Sequence, residues 1–145
     1  MGFFNIFNIS GSGMSAESVR LNTVASNLAN ADSVSSSAAT AYKARYPVFQ
    51  AVKASLMSPG GAADPAQAAD AAVNVNGIVQ STAPGTAHYE PGNPLADANG
   101  YVYSSNVNVV EQMADMISAS RSYQNNVEVL ETSKQLMLDT LKLGS

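Results

Sequence analysis

Gly11-Ser12-Gly13-Met14-Ser15-Ala16 satisfies G-x-G-x-x-A, and Asp32 follows at about the spacing of an acid that binds a ribose hydroxyl. Glycines in that pattern cradle a pyrophosphate only when a strand precedes them, a helix follows, and a second parallel strand delivers the acid. Here the residues before the glycines continue a heptad pattern, and Asp32 opens a Ser/Ala-rich stretch. The glycines therefore read as small residues inside a helix, where they let a neighbouring helix come close. His88, the single histidine, would need a nucleophile or carboxylate beside it to act as a general base, and Glu90 in a Pro-rich loop is its one sequence neighbour of that type. Neither a nucleophile elbow nor a glycine-lysine phosphate loop occurs. With no Cys and one His, disulfides and the common zinc sites lack their ligands. No catalytic residue, cofactor or metal is expected.

Charge and composition narrow the classes further. Charged residues make up 12% of the 145-residue chain, about half of ordinary usage, and the net charge is -4 with no cluster of Lys or Arg. Phosphate neutralisation needs concentrated positive charge, so nucleic acid is not an expected partner. No stretch approaches the ~20 apolar residues of a membrane span, so direct membrane insertion is not expected either. The start, MGFFNIFNISGSG, is apolar but lacks a basic region and is interrupted by Asn5, Asn8 and Ser10, which makes it a poor cleaved signal. Ile6 stands where a myristoylation motif has Ser or Thr.

Heptad spacing at both ends is the strongest structural signal. Steps of four and three from Val109 reach Met113, Met116, Ser120, Tyr123, Val127, Leu130, Lys134, Met137 and Leu141, with eight of the ten positions apolar. Glu111, Asp115, Arg121, Gln124, Glu128, Glu131 and Lys142 flank this seam, Asn106 or Asn108 can cap its start, and no Pro or Gly interrupts 105–143. Working back from Ala31, the same spacing gives Leu28, Val24, Leu21, Glu17, Met14, Ser10, Phe7 and Phe3, which predicts one helix over 3–31 with a soft point at the glycines.

Between them, 33–41 is nearly all Ser, Ala and Thr, and 54–72 is Ala-rich with Pro59, Gly60, Gly61 and Pro65, compositions that favour a mobile loop. Extended pieces are expected at 42–52, 73–79 and 101–103, the last after an Asn99-Gly100 turn, while 84–94 can be neither helix nor central strand. The expected fold is mainly α: long N- and C-terminal coiled-coil helices (1–32 and 105–145) around a small, β-rich and partly flexible insert (33–104). Two such helices with a thin insert leave apolar surface that other subunits must cover, which points to an assembly subunit. Asn22, Asn27, Asn30, Asn125 and Asn126 are poor helix formers, and amides there either set register across a helix interface or face solvent.

Three segments carry a family resemblance. Gly13-Met14-Ser15-Ala16 with 20–31 (RLNTVASNLANA) resembles the N-terminal signature of bacterial flagellar rod and hook proteins. Residues 89–92, 96–102 and 106–108 resemble the central motif of the proximal-rod family, and 119–127 (ASRSYQNNV) its C-terminal signature. The signature positions are Asn27, Asn30, Pro91, Gly92, Gly100, Asn106, Arg121, Tyr123 and Asn126. The resemblance implies a structural subunit of the proximal rod, exported through the flagellar type III apparatus without a cleaved signal peptide. It would polymerise in the periplasm with other rod proteins and its own copies, next to the inner-membrane ring junction, and transmit motor torque. The heptad residues Phe3, Phe7, Met14, Leu21, Val24, Leu28, Val109, Met113, Met116, Tyr123, Val127, Leu130, Met137 and Leu141 would form the packing seam. A soluble or secreted coiled-coil adaptor and a dinucleotide-binding enzyme are the rival readings.

Overall fold

A computed structural model describes residues 3–53 and 71–143. Helix α1 runs Phe3–Ala29 and helix α2 runs Val109–Leu143. Between them lie strands β1 (Val34–Ser35), β2 (Arg45–Lys53), β3 (Ala71–Gln80), β4 (Ala87–Tyr89) and β5 (Tyr101–Ser104). β2 and β3 form a two-stranded sheet; β1, β5 and β4 form a three-stranded one with β5 central.

This architecture corrects the expected fold class. About 50% of the described residues are helical and 22% are in strands, so the chain is two helices with a substantial β-rich region rather than a mainly α protein with a small insert. Strand β3 starts two residues earlier than the Val73, Val75, Val79 alternation implies and ends one later, and β2 reaches Lys53. Short Ala and Asn residues flanking the Val positions are compatible with a ribbon whose partner strand supplies the hydrogen bonds. The Ser/Ala/Thr segment is also more regular than its composition suggests. Val34 and Ser35 pair antiparallel with Ser104 and Tyr103, the Ser37 and Thr40 hydroxyls bond each other at 2.8 Å, and Ala41 is buried. Most of the Ala-rich stretch, including Pro59, Gly60, Gly61 and Pro65, lies outside the described residues, although Ala71 and Ala72 open β3.

The chain divides into two compact units. One contains 20–47 and 78–118. Its core joins Val24 of α1, Ala41, Ala44 and Val102 of β5, together with the buried polar residues Thr23, Asn27, Ser105 and Gln112. In this unit β4 pairs with β5 through Ala87↔Tyr103, His88↔Val102 and Tyr89↔Tyr101, and the Tyr89 and Tyr101 rings meet edge-on at 5.3 Å. β4 is an edge strand, which is what the surrounding prolines permit. The loop returns through a turn at 97–100, where Gly100 takes φ +82°, a left-handed backbone that favours glycine. Asn108 caps α2: its side-chain oxygen accepts from the amides of Val110 (3.1 Å) and Glu111 (3.4 Å).

The other unit contains the described parts of 1–19, 48–77 and 119–145. Its buried residues are small: Ser10, Ala16, Ala119 and Ser133. Ser12 links α1 to the ribbon, its hydroxyl donating to the Ile9 carbonyl at 2.9 Å and accepting from the Val73 amide at 3.1 Å.

Candidate assembly surface

The residues with the dinucleotide spacing sit inside α1, with Gly11 through Ala16 all helical and no strand before them. That geometry removes the strand-turn-helix on which the cofactor reading depends. His88 lies exposed on β4, and the Glu90 carboxylate accepts from Asn93 Nδ2 at 3.0 Å. Among the described residues no cluster of three or more His, Asp or Glu is placed to hold a metal ion, and no helix is long and apolar enough to cross a membrane.

What the structure does build around α1 and α2 is a polar lock within the unit of 20–47 and 78–118. Asn27, fully buried, uses its whole hydrogen-bonding capacity. Its Nδ2 donates to Gln112 Oε1 (2.8 Å) and to the Arg45 carbonyl (2.8 Å), and its Oδ1 accepts from the Tyr42 hydroxyl (3.0 Å) and the Arg45 amide (2.9 Å). One side chain thereby ties α1 to α2 and to the first residue of β2. A buried amide with every donor and acceptor filled specifies register, because a shift by one residue strands several polar groups at once. The Arg45 guanidinium stacks over the Tyr42 ring at 5.5 Å. One heptad back, Arg20 Nη2 donates to Asp115 Oδ1 at 2.8 Å. The order 27 to 112 and 20 to 115 makes the pairing antiparallel. Burial raises the Tyr46 phenol above its ordinary pKa, and the carboxylates of Glu111 and Asp115 push in the same direction.

Asn106 does the same work for the strands and loops. Its Oδ1 accepts from the Ala44 amide and its Nδ2 donates to the Ala83 carbonyl, both at 2.7 Å. Asn30 closes the end of α1 by donating to the Ser26 carbonyl at 2.8 Å. In the other unit, a Cβ on Gly13 would lie 2.9 Å from Asn126 Nδ2, so glycine at 13 is what lets the Asn126 amide approach α1. Pro91 and Gly92 are exposed in the loop after β4, and Arg121 is exposed on α2.

The apolar heptad positions are placed differently. Val24 is buried, while Phe7, Met14, Leu21, Leu28, Met116, Tyr123, Val127, Leu130 and Met137 are half-buried. Val109, Met113 and Leu141 are exposed, and the Phe3 side chain lies outside the described residues. The buried positions of α2 are instead Gln112, Ala119 and Ser133, which recur with a period of seven and are polar or small. Hydrophobic patterning passes over such residues. The signal that finds them is the recurrence of small or amide side chains at 112, 119, 126 and 133, matched on α1 by Ser10, Gly13, Ala16, Thr23 and Asn27. Because the buried positions of α2 are polar or small, its larger apolar side chains are left half-buried or exposed. Val110 is 76% exposed and Ile117 57%, with Met113 beside them; farther along, Val129, Leu136 and Leu143 repeat every seven residues and are also exposed.

A chain that pairs its terminal helices through small residues and leaves aliphatic stripes open has the features of an assembly subunit. Residues 7–35 match the family described as flagella basal body rod protein, and residues 98–143 match that described as flagellar basal body rod FlgEFG protein C-terminal. Full-length relatives are more specific. The flagellar basal-body rod protein FlgC of Salmonella typhimurium is 51% identical over 144 residues, 99% of either chain, and that of Yersinia enterocolitica matches at the same identity and coverage. The FlgC protein of Buchnera aphidicola subsp. Schizaphis graminum is 43% identical over 148 residues, again covering 99% of both chains. The chain belongs to the FlgC family of flagellar basal-body rod proteins.

Proposed function

We propose that this protein is a structural subunit of the proximal rod of the flagellar basal body, assembling with other rod proteins and with copies of itself and carrying motor torque outward. The observation that carries the reading is the separation of two faces on α2. Gln112 and Ala119, both at 0% exposure, are spent within the chain, whereas Val110, Met113 and Ile117 remain for neighbours to cover. Packed aliphatic interfaces transmit force with little deformation because protein interiors are close-packed. The same reading includes export through the flagellar type III apparatus without a cleaved signal peptide, residence in the periplasm-spanning part of the basal body, and a base next to the inner-membrane ring. Its role is mechanical, with no catalytic activity.

Ile117→Asp tests the assignment. Ile117 is exposed in the single chain, so the variant is expected to unfold within about 0.5 kcal/mol of the parent. A charge in a subunit interface has no such tolerance. Cells carrying the variant should export the protein yet yield no rod-containing basal bodies and no swimming. Normal motility with Ile117→Asp would remove this face of α2 from the assembly.

A further inference from the structure

The turn closing the β4–β5 hairpin carries a chemistry that the assembly role leaves unused. Asn99 is followed by Gly100, so no side chain hinders the approach of the Gly100 backbone nitrogen to the Asn99 side-chain carbonyl. Asn99 is exposed, and its side-chain amide makes no hydrogen bond among the described residues. These are the requirements for cyclisation. The Gly100 nitrogen gives its proton to a base in solution and forms a bond to Asn99 Cγ; the Cγ–Nδ2 bond breaks, and Nδ2 leaves as ammonia after taking up a proton. Water then opens the five-membered imide at either carbonyl, giving aspartate or isoaspartate. One water is consumed and one ammonia released, with no oxidation or reduction.

The folded turn withholds each of these movements. The Gly100 amide donates to the Asp97 carbonyl at 3.0 Å, which occupies the attacking nitrogen. The Asn99 amide donates to Asp97 Oδ1 at 2.8 Å, and the Tyr101 amide donates to the same oxygen at 2.9 Å. Asp97 and Tyr101 also pair through the Asp97 amide and the Tyr101 carbonyl at 2.8 Å. Gly100 is held at φ +82° with the Tyr89 ring and Pro91 against it, so the peptide cannot swing toward Cγ without opening the hairpin end.

We propose that Asn99 is a deamidation site that the Asp97 turn keeps shut, and that it converts when the turn opens or the chain is unfolded. Conversion is then irreversible for the hairpin. Isoaspartate adds a methylene to the backbone between 99 and 100, and either product sets a new carboxylate beside Asp97. The 97–101 pairing that aligns Tyr89 with Tyr101 is lost.

The chain supplies its own comparison, because Asn76-Gly77 lies within strand β3. Purified full-length protein is held at mildly alkaline pH, folded or in urea, and conversion at each asparagine is followed by peptide mass spectrometry that separates aspartate from isoaspartate. In urea both Asn76 and Asn99 are expected to convert. In the folded protein Asn99 should convert at least about fivefold more slowly, as expected for chemistry gated by local opening. Asp97→Ala should return Asn99 toward its urea rate while leaving Asn76 at its folded rate. Equal Asn99 rates in folded and urea-treated protein, or an Asn99 rate unmoved by Asp97→Ala, overturns the proposal. Should Asp97→Ala accelerate both sites by general unfolding, the comparison of folded and urea-treated parent protein decides alone.

Discussion

At the residue scale, the structure depends on one buried amide, Asn27, whose hydrogen bonds are complete. Removing the Asn27 side chain leaves the part-buried Arg45 amide and carbonyl and the buried Gln112 carbonyl oxygen without their partner. Each orphaned buried group costs about 1–3 kcal/mol, partly relieved by water entering the gap. Asn27→Ala is therefore expected to lower unfolding stability by about 2–3 kcal/mol, read as a fall in the denaturant midpoint. Asp97 behaves differently because it titrates. The Tyr101 amide above all, then the Asn99 amide, the Tyr103 hydroxyl and the Gly100 amide, hold its carboxyl below the ordinary aspartate range, and a desolvation effect opposes them without reversing the sign. A folded value below the unfolded one means that stabilisation is complete above about pH 4 and is lost as the pH falls through the lower folded value. The Tyr101 amide resonance should shift in that acid window, and Asp97→Asn should abolish the shift.

At the element scale, the two helices follow from sequence because an apolar residue every three or four positions has one regular solution, and neither Gly11 nor Gly13 interrupts α1. The positions that join the helices do not follow from that pattern. Gln112, Asn126 and Ser133 are polar, and Ala119 is too small to weigh in a hydrophobic count, so the contact is visible only when small and amide side chains are themselves taken as periodic. The β-rich region was legible at its Val and Tyr alternations and not at β1, where a Ser/Ala/Thr composition carries no preference and pairing with β5 decides. The loop at 33–41 acquires its order from that pairing and from Ser and Thr hydroxyls bonding within it. A consequence for α2 can be measured. Ala119 is completely buried, and enlarging it forces neighbouring side chains out of their rotamers, at about 1–3 kcal/mol. Ala119→Leu should therefore destabilise the isolated chain by that amount, whereas Ile117→Asp, two residues away, leaves it nearly unchanged and fails in assembly. The same loss of stability from both substitutions would mean that α2 presents one continuous buried face.

At the scale of the whole molecule, burial along α2 is unevenly distributed, and the end with the least of it is the part that the proposed assembly would cover. Within the unit of 20–47 and 78–118, α2 is tied down by its Asn108 cap, Gln112 and Asp115. Within the other unit its last buried position is Ser133, Met137 is half-buried, and all residues of 138–143 are exposed, including Leu138, Leu141 and Leu143. Side chains this exposed bury little apolar surface to offset the entropy of ordering the backbone, so the end of α2 is expected to fray in the isolated chain. Leu138, Leu141 and Leu143, exposed in the single chain, would gain burial if neighbouring helices cover them in the proposed assembly, and that burial would add stabilisation. Amide exchange separates the two states directly. In isolated protein, amides at 138–143 should exchange near the unfolded rate while those around Asn27 and Gln112 are protected; in purified basal bodies, 138–143 should become protected as well. Protection of 138–143 in the isolated chain equal to that in basal bodies would mean that the helix end is folded before any neighbour arrives, and that its exposed leucines are not what assembly completes.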